Sequence, residues 1–145
     1  MTLRNWLQNR WLTEHEPSRE EVADLFAVVD RDLEDAAIDG LSSDRRLGIA
    51  YNAALQLSIL ALAATGFRAE RQRTHERAIQ SLRYTIGLDQ SVVDTLDVIR
   101  RKRHQSNYER AGTASPSEAR EVLEIARDLK TRVREWLKQK HPGLV

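Results

Sequence analysis

The stretch Ile49-Ala50-Tyr51-Asn52-Ala53-Ala54-Leu55-Gln56-Leu57-Ser58-Ile59-Leu60-Ala61-Leu62-Ala63-Ala64 decides how this chain folds. It carries no charge, no glycine and no proline, and its alanines and leucines are strong helix formers. Wound into a helix it is apolar on most sides, so it must be covered all round, which puts it at the centre of a bundle. Asn52, Gln56 and Ser58 interrupt the run, and it falls short of the roughly 20 residues that cross a bilayer, so the expected setting is a protein core with no membrane partner. Ser42 or Ser43 can cap its start, and Gly66 stands just past its end as the natural C′ residue.

Working outward, Pro17-Ser18 followed by Glu21 reads as a capping box, and Val22, Phe26, Val29, Leu33 and Ala36 form one stripe until Gly40. The spacing predicts a helix over about 18–38. Before it, Leu3, Trp6, Leu7 and Trp11 stand at helical spacing, so a short first helix lays its aromatics on the bundle or on a second subunit. On the other side, Phe67-Arg68-Ala69-Glu70-Arg71 reads as a cationic turn. A helix from about Thr74 to Ile86 then ends at Gly87, and Asp89 can cap another through Val92, Leu96 and Ile99. After Gly112, Ser115-Pro116-Ser117-Glu118 is a second capping box with proline at the first helical position. Ala119, Val122, Ala126, Leu129, Val133 and Trp136 then make one seam up to His141-Pro142-Gly143.

No run alternates apolar and polar residues in the manner of a strand, so the expected fold is all-α over residues 1–145 as a single helical domain. With 145 residues, 41% of them apolar, the chain can build its own core. Its 23 basic and 22 acidic side chains leave a net charge of +1, so affinity for a polyanion must come from a local patch. The absence of cysteine excludes disulfides, thiolate nucleophiles and cysteine-ligated zinc, and fits a reducing cytosol. The opening MTLRNWLQNRWLTEHEP lacks the apolar core of a secretory signal, so the expected location is cytoplasmic.

One local patch stands out. Ile99-Arg100-Arg101-Lys102-Arg103-His104-Gln105-Ser106-Asn107-Tyr108 gathers four cations, an imidazole, two amides and a phenol without one acid. Helical spacing puts Arg100, Arg103, His104 and Asn107 on overlapping faces. Arg101 and Arg103 can hold phosphates, His104 can titrate near neutral pH, and Tyr108 can stack or donate a hydrogen bond. Against this, cations at a helix C-terminus complement its dipole, and Arg103 and Tyr108 can simply tie the helix to its neighbours. Arg68, Arg71, Arg73 and Arg77 form a second cationic cluster that is either a solvated surface or an extension of a phosphate-binding face. Tyr51 and Asn52 need partners inside the bundle, whether core hydrogen bonds or a ligand. The four histidines lie in four different segments and no glycine-rich phosphate loop occurs, so no metal site and no cofactor are expected.

Ala50-Tyr51-Asn52-Ala53-Ala54-Leu55-Gln56, then Gly66-Phe67-Arg68, a histidine-bearing helix, Arg101-Lys102-Arg103-His104 with Tyr108-Glu109, and the Ser117-Glu118-Ala119 helix together resemble the HEPN superfamily of nucleotide-binding domains. The resemblance covers about residues 41–140, the HEPN-like core, with 1–40 as an N-terminal helical extension. It implies an up-and-down bundle of about five to six helices, a homodimer, a nucleotidyltransferase partner, and a place in toxin–antitoxin or defence systems. Many relatives are metal-independent ribonucleases whose signature is an arginine, a polar residue and then a histidine. Here Arg103 and His104 match its start, but Tyr108 stands where four intervening residues would put the histidine. A phenol with a pKa near 10 is a poor substitute for an imidazole in moving protons near pH 7.

The leading expectation is therefore a non-catalytic nucleotide- or RNA-binding, or partner-binding, protein using Arg100, Arg101, Arg103, His104, Asn107 and Tyr108, with Tyr51 and Asn52 as a supporting polar core. One alternative is a metal-independent ribonuclease toxin with Arg103 and His104 as its catalytic pair. Another is a helical protein-interaction adaptor whose basic stretch only caps a helix and pairs with acids.

Overall fold

The structure, a computed structural model, describes residues 2–106 and 114–145, with the side chains of 104–106 left aside. Its elements in chain order are α1 (Leu3–Gln8), β1 (Leu12–Glu14), α2 (Arg19–Ala36), α3 (Ser43–Ala64), β2 (Phe67–Ala69), α4 (Thr74–Thr85), α5 (Gln90–Ser106), α6 (Pro116–Lys140) and a closing 3-10 turn, Pro142–Leu144. The protein is an all-α bundle with one two-stranded ribbon.

The apolar run became the axis of the molecule. α3 packs most heavily on α2 and α6, also contacts α4 and α5, and buries residues on every side, among them Leu47, Tyr51, Leu55, Leu57, Leu60 and Leu62. Each fully buried leucine contributes roughly 1.5–3 kcal/mol relative to exposure. The helix starts at Ser42, whose hydroxyl accepts the Arg45 amide, and extends below the apolar run to 22 residues. By length and hydropathy it therefore does reach the dimensions of a membrane span, contrary to the reading of 49–64 alone. However, 72% of its most apolar window is buried against the other helices. Gly66, at φ 102, makes the turn out of α3 in a left-handed conformation that a side chain would strain.

Both expected capping boxes are half-formed, and for the same reason. Ser18 accepts the Glu21 amide and Ser115 accepts the Glu118 amide, but the glutamates do not reach back. Glu21 instead takes the His15 ring nitrogen with both carboxylate oxygens, at 2.8 and 2.9 Å, and Glu118 takes Lys102 at 2.8 Å. In each case a carboxylate that could satisfy one local amide ties a separate segment to its helix instead.

The N-terminal segment departs from an all-helical extension. α1 stops at Gln8, the backbone turns at Arg10 with φ 63, and β1 then pairs antiparallel with β2, Leu12 opposite Ala69 and Glu14 opposite Phe67. The expected cationic turn at 67–71 is thus in part a strand; three residues are too few for alternation to reveal it. Of the two places open to the aromatics, they occupy the chain's own bundle. Trp6 is buried edge-on to Trp11 and Tyr84, and the Arg77 guanidinium lies 3.8 Å from the Trp11 ring centre. Leu3, Trp6, Leu12 and Leu62 form a satellite cluster beside the main core.

Candidate anion-binding site at the end of α5

Helical spacing brings the cations of α5 onto neighbouring faces, but it also brings them an acid. Asp97 lies three and four residues before Arg100 and Arg101, and its buried carboxylate receives both, at 2.9 and 3.2 Å. Arg100 further approaches Glu76 of α4 at 4.0 Å, while Lys102 reaches across to Glu118 of α6. Three of the four cations therefore meet three carboxylates. Arg103 is the cation left over: among the described residues no carboxylate pairs with it.

Arg103 is instead seated on α3. Its guanidinium carbon stands 5.3 Å from the centre of the Tyr51 ring, a cation–π geometry. It passes so close to Gly48 that a Cβ there would lie 2.5 Å from Nη1. Glycine inside a helix costs about 1 kcal/mol relative to alanine, and here its missing side chain leaves room for the cation.

Tyr51 is 5% exposed, and its hydroxyl has no hydrogen-bond partner among the described residues. Burial, and secondarily Asp97, push its pKa up to about 12 against the pull of Arg100 and Arg103, so the phenol remains protonated and available as a donor. His75, at the start of α4, feels the same two arginines. Partial burial first, then the charges of Arg100 and Arg103, hold its pKa below the ordinary value of 6.5, leaving a neutral imidazole at pH 7. Arg103, Tyr51 and His75 thus supply one uncompensated cation, one unspent hydroxyl and one neutral ring, contributed by three helices. Of these, the exposed Arg103 guanidinium can hold a phosphate or carboxylate oxygen, while the Tyr51 hydroxyl is closed off from solvent beneath it.

The expected site residues separate accordingly. Arg100, Arg101 and Arg103 share this end of the molecule, but the first two are engaged by Asp97. Asn52 belongs elsewhere: its amide donates to the buried Asp32 of α2 at 2.7 Å, an ordinary core bond. Asn107, Tyr108 and the side chain of His104 lie outside the described residues. Of the second cationic cluster, only Arg77 is withdrawn, lying over Trp11; Arg68 and Arg73 lean to Glu21 and Glu76 across 3.9 Å with mostly exposed guanidiniums, and Arg71 is exposed with no ion pair among the described residues.

Sequence reading missed Gly48, His75, Asp97, Glu76 and Glu118. Asp97 was legible, because an acid three and four positions before two arginines is an ion-pair spacing. Gly48 also carried a signal, as a lone glycine inside a strong helical pattern. His75, Glu76 and Glu118 arrive through tertiary packing, which no local pattern encodes. Compared with known proteins, the chain matches no family model, no curated protein and no solved structure.

Proposed function

We propose that this protein is a cytoplasmic, HEPN-type binding protein that holds a phosphate group of a nucleotide or RNA at Arg103 without cleaving it. The observation that carries the reading is the Arg103 guanidinium above Tyr51, which among the described residues pairs with no carboxylate. Phosphate binding would give the guanidinium a counterpart, and the neutralisation of Arg100 and Arg101 limits the contact to about one phosphate. In this reading the protein works as a homodimer beside a nucleotidyltransferase partner in a toxin–antitoxin or defence system.

The test is binding of AMP, ATP and a short single-stranded RNA to wild type and Arg103→Ala. Loss of about tenfold or more in affinity is expected, with a shallow salt slope, log K against log salt near −0.7 for one contact on a single strand. Unchanged affinity in Arg103→Ala would favour the interaction adaptor, whose basic residues serve only the fold. Sedimentation at micromolar concentration tests the dimer, and a pure monomer would remove that element.

A second reading, a metal-independent ribonuclease, is favoured by one observation: the imidazole of His75 is neutral at pH 7 beside two guanidiniums, the state a general base requires. Incubation of RNA without metal distinguishes the two. Cleavage that disappears in His75→Ala supports the ribonuclease through this ring, and cleavage that disappears in His104→Ala supports Arg103 and His104 as the pair.

A further inference from the structure

On the opposite side of α2 from the ribbon, α2 and α6 diverge to leave an open groove of about 650 Å³. Val22 and Phe26 form its nearly buried floor, and the apolar surface it offers is that of the half-buried Leu144 and of Ala23 and Ala27, which stand exposed on its α2 wall, small enough for another backbone to come close. Its α6 bank is cationic, whereas the α2 bank sets Glu20 and Asp30 beside Arg19. Arg134 and Lys138, one helical turn apart, line the α6 bank, and Arg19 stands on the α2 bank, where it donates to the Val145 carbonyl at 3.0 Å.

The charges do not cancel locally. Arg134 covers Phe26 at 5.0 Å from the ring centre, and among the described residues no carboxylate pairs with it. Among the described residues Lys138 has a contact of 3.8 Å with Glu135, both side chains more than half exposed, which is worth little. Of the two acids lining the groove, Asp30 is taken by Lys130, leaving Glu20. The result is a trough with free cations on its α6 bank, open along two helices. A small molecule would stay largely exposed there, whereas a helix fills such a trough along its length.

We propose that this groove docks an amphipathic helix of a partner protein, its apolar face seated on Ala23, Ala27 and Leu144 and its flanking Asp and Glu residues paired with Arg134 and Lys138. The inference is independent of the anion site at Arg103. It is tested with a labelled model peptide of about 18 residues, five helical turns, carrying leucines at three- and four-residue spacing and flanking glutamates, against the same peptide with lysines. Fluorescence anisotropy is expected to show the glutamate peptide binding wild type about tenfold tighter or more than the lysine peptide. Arg134→Glu should invert that order. Ala27→Trp, at an exposed position that tolerates bulk, should block the glutamate peptide while leaving the melting temperature and RNA binding unchanged. Equal binding of the two peptides, or no effect of Ala27→Trp, overturns the proposal. So does octanoate binding in the groove without peptide binding, which would make it a small-ligand site. Conversion of a dimer to a monomer by Arg134→Glu also overturns it, since the occupant would then be a second copy of the chain.

Discussion

Gly48 and Tyr51 give the clearest expectations at the scale of single residues, because each is suboptimal for the fold alone. Gly48→Ala improves helix propensity by up to about 1 kcal/mol but drives Arg103 off its seat. Denaturant melts should show stability equal to wild type or higher, with anion binding reduced; reduced stability together with intact binding would contradict this account. Titration supplies a second expectation. The pKa of His75 is lower in the folded chain than its unfolded value near 6.5, so the unfolded chain takes up this proton first. The associated stability is present above pH 6.5 and is lost as pH falls through the folded pKa. Tyr51 has the opposite sign: raised to about 12, its contribution is present below pH 10 and disappears as pH rises through 12. NMR should place the His75 midpoint below 6.5 and show it rising in Arg103→Ala.

At the scale of elements, α5 shows what a sequence pattern reveals and what it conceals. Its start, its cationic end and the seam residues Leu96 and Ile99 were legible, because they depend on 3.6-residue periodicity within one segment, whereas the expected Val92 is only half-buried and its neighbour Val93 takes the core position. The electrostatic state of that end was not, because the partners Glu76 and Glu118 belong to α4 and α6. A cluster of four cations read as an open basic patch is, once folded, an ion-pair network with one cation to spare. Asp97→Asn keeps the shape of the side chain and frees Arg100 and Arg101. RNA binding should then tighten and become more salt-dependent, while stability falls by about 1–3 kcal/mol for the lost buried ion pairs. Binding assays at several salt concentrations check this; affinity unchanged in both respects would mean that α5 does not meet the polyanion.

For the whole molecule, one uncharged stretch determined the class of fold, since a helix apolar on most sides can be satisfied only by neighbours on every side. The order of helices around it followed from caps and glycines, and these held to within about two residues. The β1–β2 ribbon escaped, because it joins two three-residue segments about 55 positions apart and owes its existence to Leu12 and Trp6 seeking the flank of α3 and α4. That same ribbon sets an order of assembly. Its docking surface, Leu62 with Phe67 and Tyr84, does not exist until α3 and α4 have paired, and closing so long a loop is entropically costly. Residues 2–14 should therefore join last and detach first as a separate cooperative unit, so that in native-state hydrogen exchange the Trp11 and Leu12 amides open at a lower free energy than those of Leu57 and Leu60.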